Sequence, residues 1–483
     1  MIRCAAVIAA LFFIALPARA QDVTLRAHAG NLNVSGTLLS YDGQVYRVDT
    51  AYGTLVVDAL AVDCAGPGCP ELALLPPRFR LLAEDAAMAG LLAALIRDFA
   101  ATQGRQVLAE PDALALADAG GRVLARFALS TAPAAEARQR IARGGAELAL
   151  VDAAPWPPEG RVLGHDGLVV AVAAANPLRQ IALEDLARVL AGEVTDWAGL
   201  GAPPAPIALH APAPGTGARR LAEARLGPIG AGQAHDDPAA LAAAAAGDPW
   251  ALALLPARAL RPDLAVLRLT DRCGALLDPE GFALRTGDYP LALALQLAPA
   301  GGRLHPVLRA LRDHLGTASA QALVAGAGLA DLTVQRHPAA EQGARLVNAI
   351  RATEGAAGLA ALQEVVAAMA GADRLSLSFR FEPGTARLDP ASALLAADVG
   401  AGIAAGAHAG QVLLLAGFGD DARDAQALAG AALAAVEAAM TDPVPGAATL
   451  TTAAFGPALP LGCADTAAGR HLNRRVEVWQ RLR

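Results

Sequence analysis

The feature that most constrains this chain is the alternation of strand-like and helix-like runs across residues 71–331. Strand-like runs at 79–82, 122–128 and 147–151 are separated by helix-like runs at 88–101 and 133–144. Such a chain covers its strands with the helices between them, which predicts an α/β domain with parallel sheets. The apolar run 167–174 lacks alternating polar positions and reads as a strand buried on both faces. At 483 residues the chain exceeds one core, so two to four domains are expected.

Within that region, 207–225 reads IALHAPAPGTGARRLAEAR. The pattern is a strand, a Pro/Gly turn, and a helix opening at Thr216 or Gly217. The first helical N–H groups point into the turn, with the positive end of the helix dipole behind them. That geometry suits an anion. Arg219 adds a planar cation matched to oxyanions. From these residues alone, an ordinary loop with an N-cap remains open.

The chain contains no lysine, which excludes Walker-A loops, kinase lysines and Schiff-base chemistry. The formal net charge is −7 and no Arg-rich stripe with interleaved aromatics occurs, so nucleic acid is not an expected partner. There is no G-x-S-x-G, H-E-x-x-H or C-x-x-C, the His residues are scattered, and no enzyme, metal or cofactor is expected. Residues 1–20, MIRCAAVIAALFFIALPARA, carry Arg3, an apolar run and an A-x-A site, the form of a signal peptide cleaved after Ala20. An exported, periplasmic chain is therefore expected. Export implies an oxidising space. Cys64 and Cys69, in CAGPGCP, are read as a disulfide across the Pro-Gly turn. Cys273 and Cys463 are either two buried thiols or a clip between domains.

Residues 21–70 read as a small β module with strands at 33–39, 44–49 and 54–62. Residues 332–372 read as a helical connector. From 373 the pattern changes. In RLSLSFRFEPGTARLDP, Leu375, Leu377, Phe379 and Phe381 alternate as in a half-buried strand.

The stretch 165–201, HDGLVVAVAAANPLRQIALEDLARVLAGEVTDWAGLG, resembles the central signature of phosphate-type periplasmic solute-binding proteins of ABC transporters. Leu183, Leu186, Leu190, Gly192, Val194 and Trp197 fall on its pattern. PGTGAR stands where that family has an Arg-containing glycine loop. RTGDYPLALALQL (285–297) and residues 304–332 resemble its return segment and closing helices. The resemblance implies the two-lobed type 2 periplasmic-binding fold, with lobe one at about 71–162 plus 256–331 and lobe two at about 163–255. The ligand, phosphate or a similar small anion, would sit between the lobes. By position, Asp152 matches the acceptor carboxylate. Ser130 and Thr131, ahead of the helix at Pro133, match one donor loop, and Thr216, Gly217 and Arg219 match another. An acceptor admits protonated phosphate and rejects sulfate, because an unpaired buried acceptor is costly. Two departures are visible. Glu84 and Asp85 stand where the family places Ser or Thr, and the arginine ahead of the glycine loop is missing, with His210 or Pro212 near its place.

FEPGTARLD, the GFGD turn at 417–420 and NRRVEVW at 473–479 resemble the OmpA-like domain, which associates with peptidoglycan. This implies an α+β domain over 373–483. By that resemblance Asp420 would meet the peptidoglycan ammonium, with Asn473 and Arg474 in the terminal motif. The family arginine falls on Ala432, and Arg474 or Arg423 would have to replace it. The functional expectation is a solute-binding protein tethered to the cell wall or outer membrane, with an ABC permease as partner. The alternative is a non-transport envelope sensor or structural protein with a degenerate cleft.

Overall fold

The computed structural model describes residues 23–27, 33–41, 45–59, 62–70, 76–153, 160–230, 232–301, 304–353 and 355–482. The expected signal peptide, 1–20, lies outside them. The chain divides into two compact units, 1–78 with 120–126, and 79–119 with 127–483.

The first unit holds a five-stranded antiparallel sheet. Two expected strands appear as Asn33–Tyr41 and Val45–Thr50; the third, expected over 54–62, ends early as Gly53–Asp58, and Val62–Ala65 is a separate strand that completes the sheet with Val23–Ala27. Val23, Leu25, Tyr46 and Val48 form its core. Cys64 and Cys69 are bonded, with sulfurs 2.02 Å apart.

The second unit is built around a thirteen-stranded mixed sheet. Its axis is the long strand Arg161–Ala173, whose two halves serve different lobes. Residues from Arg161 to Gly167 pair antiparallel with Ala292–Pro299, which also pairs with Leu148–Ala153. Residues from Leu168 to Val172 pair antiparallel with Ala251–Pro256, and from Val170 onward with Leu264–Thr270. Leu168–Val172 is fully buried, as its unbroken apolar run requires. The expected parallel sheets are corrected to mixed ones. Each lobe keeps parallel pairs, Leu148–Ala153 on Arg78–Ala83 and Ala208–Pro212 on Ala251–Pro256. The strands passing between lobes must turn back and therefore pair antiparallel. The poly-Ala stretch forms the helix Pro238–Ala246, started by Asp237, whose carboxylate accepts from Ala240 N–H at 2.9 Å.

The C-terminal α+β region belongs to this same unit. Its sheet runs Arg336–Pro338, Asp373–Arg380, Arg475–Leu482, Gln411–Phe418, Thr449–Ala454. Helices Pro390–Ala404 and Ala422–Ala439 cover one face over Leu375, Leu377, Phe379, Leu413 and Val476. They approach closely at Gly400, where a Cβ would stand 2.3 Å from the Val436 carbonyl oxygen.

Two expectations change here. The strand at 373–380 is buried on both faces, because Arg374, Ser376, Ser378 and Arg380 are covered as well as its leucines. The stretch 332–372 does more than connect. Arg336–Pro338 joins the sheet, and helices Gly343–Ala352 and Gly355–Met369 pack Ala349, Leu362, Val365 and Met369 against Phe418 and Trp479.

The second face of this sheet carries a buried ionic network. Arg374 and Arg380 both reach Asp288, at 2.7 and 2.8 Å. Arg345, Arg374 and Arg475 converge on Glu477. Burial pushes the Asp288 and Glu477 carboxyls up, but these arginines overcome it and hold both below their ordinary range. Of the two cysteine alternatives, the clip is the one present: Cys273 and Cys463 are bonded.

Candidate functional site

The strand Arg78–Ala83 ends at Glu84 and Asp85, and the helix Ala86–Thr102 follows. Asp85 is its N-cap: Oδ1 accepts from Met88 N–H at 2.8 Å. That accounts for one acid in LAEDAAM. Glu84 turns across to the other lobe. Its Oε1 accepts from Gly217 N–H at 2.6 Å, and its Oε2 from Asp152 N–H at 2.9 Å.

Gly217 opens the helix Gly217–Leu226, capped by Thr216, whose hydroxyl accepts from Arg219 N–H at 3.1 Å and donates to Ala213 C=O at 2.9 Å. The helix start is thus formed as expected, and a carboxyl of the chain itself lies on it. Asp152 backs directly onto this turn. A Cβ at Gly217 would lie 1.8 Å from the Asp152 carbonyl oxygen, so only glycine lets the lobes meet here. A further bond, Ala135 N–H to Gly215 C=O at 3.0 Å, joins the lobes beside it.

Behind Glu84 lies Arg258, just past the strand Ala251–Pro256. Its Nη2 meets Asp85 Oδ2 at 2.8 Å and Asp152 Oδ2 at 3.0 Å, and its Nη1 meets Asp166 Oδ2 at 2.5 Å. The Arg258 side chain is 6% exposed and none of its three partners exceeds 4%. Asp166 also accepts from Gly167 N–H.

Four buried carboxyl groups therefore surround one guanidinium. Burial, then the neighbouring Asp152 charge, pushes Glu84 up to about 8. Burial also raises Asp152, against the pull of Arg258, and raises Asp166. Burial alone would lower Arg258, but Asp152, Asp166 and Asp85 hold it well above its ordinary value. The remaining cavity, walled by Glu84, Asp152, Thr216, His235 and Arg258, is about 10 Å³, the space of a single water.

The structure brings Asp152, Thr216 and Gly217 together, but not the other three expected residues. Arg219 turns along its own helix and bonds Glu223, the Pro212 carbonyl and the Ile229 carbonyl, at 2.6, 3.2 and 2.6 Å. Ser130 and Thr131 are exposed and away from the cavity wall. The helix they were expected to cap, Ala134–Ala142, has Pro133 at its N-cap and no side-chain cap bond. Arg258 and Asp166 were missed. A charge inside an apolar strand run, as Asp166 is in HDGLVVAVA, needs a buried counter-ion, and that was the available signal.

At the C-terminal candidates, Asp420 is well exposed and stands 4.0 Å from Arg474 Nε. Arg474 pairs with Asp424 at 2.7 Å. Asn473 is buried, accepting from Leu461 and Gly462 N–H and donating to the Gly462 carbonyl, which closes a loop. Ala432 is fully buried on the helix Ala422–Ala439. Among the described residues, no helix is long and apolar enough to cross a membrane.

A family model described as a PBP superfamily domain matches residues 87–365. No curated protein matches the chain. Among solved structures, an ABC-type phosphate transport receptor from Vibrio cholerae is similar at 14% identity, covering 52% of this chain and 98% of its own, with a TM-score of 0.41. PstS from Borrelia burgdorferi shares 11% identity over 53% of this chain and 98% of its own, with a TM-score of 0.37. The reduced OxyR regulatory domain from Pseudomonas aeruginosa shares 11% over 50% of this chain and 98% of its own, at 0.33.

Proposed function

The chain belongs to the PBP superfamily, and from that premise we propose that it is an exported, non-transport envelope protein whose solute cleft is held shut by its own side chains. One observation carries this reading: Glu84 lies on the helix start at Gly217, where a captured anion would lie. A phosphate entering there must displace Glu84 and then face Asp85, Asp152 and Asp166 with Arg258 as the sole guanidinium on the cavity wall among the described residues. Like charges at such distances in a dry site oppose binding. The phosphate-capture reading, with delivery to an ABC permease, is therefore the weaker of the two.

The C-terminal α+β region is the envelope anchor in this reading. Its resemblance to OmpA-like domains, and the nearness of Asp420 to Arg474, support a site for a zwitterion of peptidoglycan. The test is calorimetric titration of the mature chain with phosphate and with sulfate at pH 7. Neither is expected to give saturable heat. Saturable heat with phosphate and none with sulfate would overturn the closed-cleft reading in favour of phosphate capture.

A further inference from the structure

A second cavity, of about 720 Å³, opens between the two-lobed body and the C-terminal sheet. That volume lies within the range of pockets that enclose small organic ligands. Much of its wall is apolar, including Leu284, Leu293, Leu395 and Val399. The same wall carries five arginines and two aspartates. Three of the arginines are answered by carboxylates: Arg285 by Asp331, Arg312 by Asp313 and Arg380 by Asp288. Arg225 meets the imidazole of His471 at 3.1 Å and feels the charge of Asp389 on the same wall.

Arg161 pairs with no carboxylate among the described residues, and its Nε is buried without a hydrogen-bond partner. The Nδ1 of His165, on the same strand and the same wall, is also buried without one. Buried polar nitrogens of this kind are costly when left unmet. The cation excess, the orphaned nitrogens and the apolar wall call for a single molecule with an anionic head and a hydrocarbon tail.

We propose that this cavity binds a long-chain carboxylate, its head held by Arg161 and His165 and its tail laid against Leu284, Leu293, Leu395 and Val399. A guanidinium and a carboxylate match in a planar, charge-assisted pair. His165 serves as a neutral donor, since burial and the nearby Arg285 push it down to about 4. Tail burial supplies the driving force along the apolar wall.

The test titrates the full mature chain calorimetrically with decanoate below its micellar concentration, alongside acetate, inorganic phosphate and decanol. Decanoate is expected to bind saturably, one per chain, and to raise the melting temperature, while the other three do neither. Arg161→Gln should weaken decanoate about tenfold, as loss of one charge-assisted contact implies. Leu395→Glu, which sets a charge against the apolar tail, should weaken it at least as much. Each variant is first checked for an unchanged circular dichroism spectrum. Glu84→Gln should leave decanoate binding unchanged, which separates this site from the closed cleft. No saturable decanoate binding, equal binding of decanol, or unchanged affinity in both Arg161→Gln and Leu395→Glu would overturn the proposal.

Discussion

The cleft between the lobes and the cavity against the C-terminal sheet solve opposite problems with similar residues. In the cleft, one arginine meets three aspartates and a glutamate bridges to the opposite lobe, leaving about 10 Å³. Along the cavity, five arginines face two aspartates, Arg161 pairs with no carboxylate among the described residues, and about 720 Å³ remains. Where the chain supplies its own counter-ions, the walls draw together. Where it withholds one, as at Arg161, room remains for a foreign anion.

The largest expected effect breaks the comparison at its first term. Arg258→Gln leaves Asp85, Asp152 and Asp166 without their cation, and removing one partner of a buried ionic cluster costs about 3–5 kcal/mol. The melting temperature should fall steeply. Arg161→Gln, on the cavity wall without a carboxylate partner, should cost less than about 1 kcal/mol. Equal losses in the two variants would erase the distinction between the sites.

Next in size is the clip that joins the two-lobed body to the C-terminal region. Replacing Cys273 and Cys463 together by serine should lower stability by about 2–4 kcal/mol in urea unfolding. The variant should also lose affinity for decanoate, because the C-terminal region helps form the cavity. The cleft should not respond, since none of its ion pairs involves that region.

Smallest is Asp420→Ala. Its side chain is exposed, so stability should change by less than about 0.5 kcal/mol. Retention of the full chain on purified peptidoglycan in a pull-down should nevertheless be lost. Unchanged retention would remove Asp420 from the anchoring site.

Much of the fold was legible because its signals are local. Apolar runs gave the buried strand through Leu168–Val172, and the PGTG turn gave the helix start at Gly217. The cleft was legible only in part. Asp152 and Thr216 stand at element ends, where backbone pattern places them. Arg258 sits 173 residues from Asp85 and 92 from Asp166, and no periodicity links residues so far apart. Arg219 misled because its position beside the turn was readable, whereas its rotamer depends on Glu223 and two carbonyls. The strand at 373–380 misled similarly. Its polar face reads as solvated until Asp288 and Glu477 are seen to cover it.

The central claim is that the Glu84 carboxyl itself occupies the helix start in a buried, acid-crowded cleft. Its folded pKa, about 8, lies above the ordinary 4.5, so between those values the folded chain holds a proton that the unfolded chain releases. Stability from this group is therefore full below about pH 4.5 and falls as pH rises toward 8. Asp152 and Asp166, also raised, act in the same direction. The decisive measurement is the melting temperature of the native chain and of Glu84→Gln from pH 5 to pH 8. The account predicts a fall for the native chain and a clearly shallower one for the variant, which has no proton to lose at that position. Parallel profiles would contradict it, placing Glu84 in ordinary solvent and leaving the cleft open to a solute.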